Sequence, residues 1–218
     1  MAKPIEEPRN ARGRRSRAAL LAAAREIVET DGVTAATMAA VAERAGVTRR
    51  AVYLHFASRA DLISALFEHV NEVEDIQGRF APIGDAPDAV TALEEFARRH
   101  AEYMPRILAV ARAVERVAPT DPDAARHWQT AMYWRYETNR ALVRRLDEEG
   151  VLAPGWTVDT AADMLLALIS NGVSETLLVE RGWTPVQVGE HMARLLRATF
   201  VAGAVSGPSG RSKKAGRG

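Results

Sequence analysis

Arg49, Arg50 and Tyr53 are the residues of this chain whose types and spacing best suit a chemical task. They fall on the side of a short helical segment away from Val52 and Phe56, which stand four residues apart and form its apolar side. A guanidinium presents its N–H donors as a planar fork that matches phosphate oxygens and the O6/N7 edge of guanine. A helix that buries Val52 and Phe56 while showing Arg, Arg and Tyr suits the major groove of duplex DNA. No competing constellation appears. His55, His69, His100, His127 and His191 are scattered without ligand spacing, and cysteine is absent. H-E-x-x-H, Walker and G-x-S-x-G patterns are also missing. The sequence therefore argues against an enzyme and implies no metal and no cofactor.

The elements that must position these side chains are legible on either side. Met38, Val41, Ala42 and Ala45 recur at one-face helical spacing, and Thr37 can cap that helix through its hydroxyl. Gly46 ends it, because a left-handed backbone costs glycine little. Thr48 can cap the next helix, which carries the arginines, and small Ala42 lets the two helices approach. A first helix at about 16–30 offers Leu20, Ala24, Ile27 and Val28 to cover the pair, and Asp-Gly at 31–32 stops it. A fourth begins at Ser58, with Asp61 three residues on as a capping box, and carries Leu62, Leu66, Val70 and Val73 to about Gly78.

The run A-G-V-T-R-R-A-V-Y-L-H-F at 45–56, followed by S-R-A-D-L at 58–62, resembles the DNA-binding signature of the TetR family of one-component bacterial regulators. The likeness covers about 15–75, roughly a third of the chain. It implies an all-α protein of about nine helices: a three-helix helix-turn-helix head and a helical body for ligand sensing and dimerisation. On this reading 1–14 is a flexible basic arm, 15–60 the head, 61–205 the body and 206–218 a flexible basic tail. Arg49, Arg50 and Tyr53 would touch bases, and Thr37, Thr48, His55 and Arg59 phosphates. The function implied is a homodimeric repressor that leaves a palindromic operator when a small molecule binds. An activator, or a helical DNA-binding or interaction module without a sensor pocket, fits the same residues.

Beyond the head the chain reads as helices throughout. A Gly/Pro-rich connection is expected at 77–87, and Pro105 is expected to separate a helix at 87–103 from one at 105–118. Helices at about 123–149, 157–181 and 185–203 follow. Trp128, Tyr133, Trp134 and Tyr136 crowd one stretch with Arg135 and Asn139, which suits either a pocket for a bulky or flat apolar ligand or ordinary core and interface packing. Arg135 or Arg140 could pair an acid, although such side chains face solvent by default. The resemblance places the pocket within 87–181, with Tyr103, Met104, Ile107, Leu108, Trp128, Met132, Tyr136, Asn139 and Asn171 as candidate lining. It also makes the last two helices a four-helix dimer interface, with Ala161, Leu165, Leu168, Gly172, Met192, Leu195 and Thr199 as candidates.

The net charge of +1 conceals an asymmetry. Residues 1–59 hold 11 Lys/Arg against 6 Asp/Glu, 60–205 hold 14 against 22, and 206–218 hold 4 and no acid. A basic first quarter on an acidic body suits a nucleic-acid reader joined to a sensor. The first ten residues lack the apolar core of a secretory signal, and no uninterrupted apolar run reaches about 18 residues, so a cytoplasmic protein without a membrane span is expected.

Overall fold

The computed structural model describes residues 11–203. The tail and most of the basic arm lie outside these residues. The chain forms α1 (Ala11–Asp31), a 3-10 turn (Val33–Ala35), α2 (Met38–Arg44), α3 (Arg49–Tyr53), α4 (Arg59–Val73), α5 (Ile76–Gly84) and α6 (Ala89–Val117). It continues with α7 (Pro122–Glu148), α8 (Val158–Leu168), α9 (Asn171–Glu175), a π turn (Thr176–Glu180) and α10 (Pro185–Phe200). The fold is all-α; the nearest thing to a strand among the described residues is an isolated bridge between Leu152 and Val201.

Two cores hold these helices. The first collects Leu20, Ile27 and Val28 of α1, Val41 of α2, Val52 and Phe56 around α3, and Leu62, Ile63 and Leu66 of α4. It continues into Val110 and Val114 of α6 and Ala124 of α7. The second joins Leu93 and Phe96 of α6, Val143 and Leu146 of α7, Leu165 of α8, and Leu196 and Phe200 of α10. Helix α6 is long enough to serve both cores. It crosses α10 so closely that a Cβ on Gly189 would lie 3.0 Å from the Arg98 Cα.

Four expectations about the helices need correction. Helix α1 already includes Ala11, so Arg12, Arg14 and Arg15 sit on a helix and not on a flexible arm. Residues 76–84 form a helix, because Asp75 takes a left-handed backbone (φ 48°) and caps it by accepting from the Gly78 N–H at 3.2 Å. Gly78 makes this cap possible, since a Cβ there would collide with the Asp75 carboxylate. Pro105 does not break α6. It lies on the exposed side, while Ala101, Tyr103, Met104 and Leu108 are buried around it. Their burial outweighs the lost hydrogen bond and ring clash, a cost of about 3 kcal/mol. The segment expected as one helix over 157–181 is interrupted at Ile169–Ser170, where Ser170 caps α9. That interruption also divides Val158–Glu180, which by length and composition alone could cross a membrane.

Candidate nucleic-acid interface

Local hydrogen bonds hold helix α3 in place. The Thr37 hydroxyl accepts from the Ala40 N–H at 3.1 Å, and the Thr48 hydroxyl accepts from the Ala51 N–H at 3.2 Å. Between them Gly46 adopts φ 66°, and the Val47 N–H returns to the Ala42 carbonyl at 2.9 Å. Val52 and Phe56 are fully buried, so the opposite side of α3 must face outward. That side carries exposed Arg49, Arg50 and Tyr53. Arg49 donates to the Tyr53 hydroxyl at 3.2 Å and lies 5.5 Å from the ring centre, so the two side chains are paired on the outer side of α3. Thr37 and Thr48 are exposed on the same segment. A hydroxyl that accepts a cap bond still has its own hydrogen to donate.

The other two expected phosphate ligands are placed differently. Arg59 is turned inward: it donates to the Val33 carbonyl at 2.7 Å and the Ala36 carbonyl at 3.2 Å, and pairs with Asp121 at 2.9 Å and Asp123 at 3.4 Å. It is a clamp between α4, the 3-10 turn and the start of α7, and its charge is already met. The His55 imidazole is half-buried and its Nδ1 has no hydrogen-bond partner among the described residues. Burial, and secondarily the Arg17 charge, lower its pKa, so it is a neutral group and not a cation for phosphate. Sequence reasoning missed Arg17, which donates to the His55 carbonyl at 3.2 Å and lies 4.7 Å from the Phe56 ring centre. It braces the end of α3 from across 38 residues, so no local pattern announces it. Leu54 and Val47 were missed as well; both stand exposed beside the arginines.

In the body the expected pocket residues separate. Tyr103, Met104, Leu108, Asn139 and Asn171 are buried, while Met132 and Tyr136 are half-buried. Ile107 and Trp128 instead pack on the first core, because the ends of α6 and α7 lie against the head. Tyr133 and Trp134 point outward, 59% and 64% exposed, so the aromatic crowd is not one pocket wall. Arg140 pairs with Asp159 at 2.7 Å. Arg135 turns inward, against the default for its type, and donates to the Ile169 carbonyl at 2.8 Å and to Asn171 Oδ1 at 3.1 Å. The carbonyl freed where α8 ends is therefore satisfied by a guanidinium. Asn171 in turn donates to Glu115 at 3.2 Å. Burial, and then the Arg135 charge, push His100 down to about 3, so its ring is neutral at physiological pH.

The Tyr103 hydroxyl donates to Asn71 on α4 at 3.1 Å, and burial pushes its pKa up to about 12. At the end of α4, Glu74 pairs with Arg25 at 3.1 Å and Arg106 at 3.2 Å. Helix α4, which follows α3, is thus tied to α1 and α6. Among the expected interface residues, Ala161, Leu165 and Met192 are buried in the chain's own second core and are not available to a partner. Helical spacing marks an apolar face without saying what covers it, and here α6 and α7 do. Leu195 stays 45% exposed, while Leu168, Gly172 and Thr199 are half-buried. Exposed Met164, Ala167 and Ala198 extend that accessible surface on α8 and α10.

Comparison with known proteins agrees with this geometry. Residues 20–66 match the model of the bacterial regulatory proteins of the tetR family. The HTH-type transcriptional regulator TtgR of Pseudomonas putida is 35% identical over 80 residues, which span 37% of this chain and only 38% of that protein. The HTH-type transcriptional repressor BepR of Brucella suis is 27% identical over 178 residues, 77% of this chain and 83% of its own length. The crystal structure of NalD, the secondary repressor of the MexAB-OprM multidrug efflux pump in Pseudomonas aeruginosa, superposes with a TM-score of 0.70 at 22% identity. That superposition covers 88% of this chain and 98% of NalD. With the family's sequence at 20–66 and the two-core helical fold built behind it, the chain carries the DNA-binding helix-turn-helix head of the tetR family of bacterial regulatory proteins.

Proposed function

We propose that the chain is a homodimeric transcriptional repressor of the cytoplasm that a small molecule releases from a palindromic operator. The observation that carries this reading is α3 itself: Val52 and Phe56 are buried beneath exposed Arg49, Arg50 and Tyr53. Arg49 and Arg50 address base edges, Tyr53 orients Arg49, and the Thr37 and Thr48 hydroxyls hold flanking phosphates. A two-fold operator needs two heads, and the accessible apolar surface of α8 and α10 around Met164, Leu168 and Leu195 supplies a self-complementary face. Repression, rather than activation, is supported by the relatives named repressors.

Release works through α4. A ligand among the buried residues of α6, α7 and α9 displaces Tyr103, and Tyr103 is bonded to Asn71 on α4. Glu74, held by Arg25 and Arg106, couples the same helix to α1 and α6. A small rotation of α4 changes the separation of two heads whose spacing must match successive major grooves. The test is a gel shift on DNA upstream of the protein's own gene, against a random duplex, at several salt concentrations. Strong preference for a roughly palindromic site supports the reading. Equal, salt-sensitive binding to that DNA, to the random duplex and to sites selected from a random pool refutes sequence-specific regulation.

A further inference from the structure

The effector class is written into one stripe of α7. Arg135, Asn139 and Leu142 follow at helical spacing along the inward side of this helix. Leu142 belongs to a mainly apolar groove of about 550 Å³ between α5, α6 and α7, lined by Phe80, Ile83 and Phe96 together with Thr138 and Arg145, whose guanidinium is already paired with Glu149. Its volume falls in the range of small-molecule sites. The Phe96 ring lies 5.9 Å from the His100 ring, and the Phe80 ring meets Tyr103 edge-on at 5.9 Å, so the apolar groove borders the polar interior.

Two groups in that interior have bonding capacity to spare. Asn139 is 1% exposed, yet its side-chain Nδ2 has no hydrogen-bond partner among the described residues. A buried amide donor left unmet is costly and calls for an acceptor. Arg135 carries five N–H donors. It donates only to neutral oxygens, those of Ile169 and Asn171, and no carboxylate lies within ion-pair distance of it among the described residues. Glu115 acts on its charge at longer range, but that carboxylate already pairs directly with Arg112. Burial outweighs the Glu115 charge and lowers the Arg135 pKa, which marks the cation as under-solvated. The neighbouring His100 is neutral and adds no competing charge.

We infer that the effector is an amphipathic carboxylate: its acid group meets Arg135 and the free amide of Asn139, and its apolar body lies along Phe80, Phe96 and Leu142 in the groove between α5, α6 and α7. This rests on the proposal that the body senses a small molecule and adds the chemical class to it. A guanidinium pairs a carboxylate in bidentate fashion, which favours an acid over the matching alcohol by roughly tenfold or more. If Arg135 serves only to cap the end of α8, its replacement changes stability without changing which ligand is preferred.

The experiment is titration calorimetry on the purified full-length protein. The probes are hexanoate, decanoate, hexadecanoate and naphthoate, each against its matching alcohol, with decyltrimethylammonium as a cationic control. At least one acid is expected to bind roughly tenfold more tightly than its alcohol. Arg135→Gln should erase that ratio while leaving alcohol binding in place, and Arg135→Lys should restore part of it. Should the Gln variant fail to fold, Asn139→Leu takes its place, and the same ratio should fall. The inference is overturned if no acid exceeds its alcohol, if the cation binds best, or if the ratio survives both substitutions. A parallel gel shift separates the two proposals. Acid binding without release of DNA keeps this site and sinks ligand-driven release. Release by compounds lacking an acid group keeps ligand-driven release and sinks this site.

Discussion

Replacing Arg59 with alanine tests whether this residue is an internal clamp or a hand on the DNA. The side chain joins three elements: the 3-10 turn through the Val33 and Ala36 carbonyls, α4 from which it springs, and the start of α7 through Asp121. A hydrogen bond from a charged donor contributes about 1.5–3 kcal/mol, and breaking a buried ion pair costs about 3–5 kcal/mol. The Arg59 and Asp121 side chains are 22% and 12% exposed, so solvent screens part of the pair and the lower ends apply. The Val33 carbonyl also keeps a second donor, the Ala36 N–H at 3.2 Å. The expected loss is about 3 kcal/mol, read as a lower urea midpoint at unchanged slope.

The pH dependence supplies a second readout. Burial pushes the Asp121 carboxyl up, but the Ala124 N–H and the Arg59 charge outweigh it and hold its pKa below the usual value. A carboxyl depressed in the folded state contributes stability that is present above its unfolded pKa and lost as pH falls through the folded one. The cost of Arg59→Ala should therefore be flat from about pH 7 to about pH 5 and shrink only below about pH 4. Arg59→Lys, which keeps the charge without the fork, should fall between the two proteins. If Arg59→Ala leaves the urea midpoint unchanged and instead weakens DNA binding with a reduced salt slope, the clamp is wrong and Arg59 is a phosphate ligand.

Three further outcomes follow from the same structure. Arg49→Ala should weaken binding to the selected operator by about 1–3 kcal/mol while changing affinity for random duplex far less; equal loss on both would remove its base-reading role. Gly189→Ala should lower stability by about 1–3 kcal/mol in urea unfolding, since the new methyl meets the Arg98 backbone at 3.0 Å, whereas an unchanged midpoint would mean that α6 and α10 separate freely. Tyr103→Phe keeps the ring and removes only the bond to Asn71. It should cost about 1 kcal/mol of stability and blunt ligand-driven release in the gel shift, and full release with intact sensitivity would take Tyr103 out of the coupling path.

The head was legible in the sequence because its determinants are local. Caps at Thr37, Thr48 and Ser58 bond to N–H groups only three residues away, and Gly46 turns the chain within the same stretch. Helical spacing then assigns Val52 and Phe56 to the inside and the arginines to the outside. Family likeness and the all-helical class rest on those same short-range patterns. Tertiary structure alone decided where the long cationic side chains go. Arg59 finds its partners 23 to 64 residues away, and Arg135 finds its own 34 to 36 residues away. An arginine on a helix faces water unless a distant carbonyl or carboxylate is carried opposite it, and only folding brings one there. Pro105 stays within a helix for the same kind of reason, since packing on both sides of it outweighs a local penalty. The accessible surface of α8 and α10 was hidden too: periodicity marks an apolar stripe, but whether α6 and α7 or a second copy covers it depends on how the helices stack.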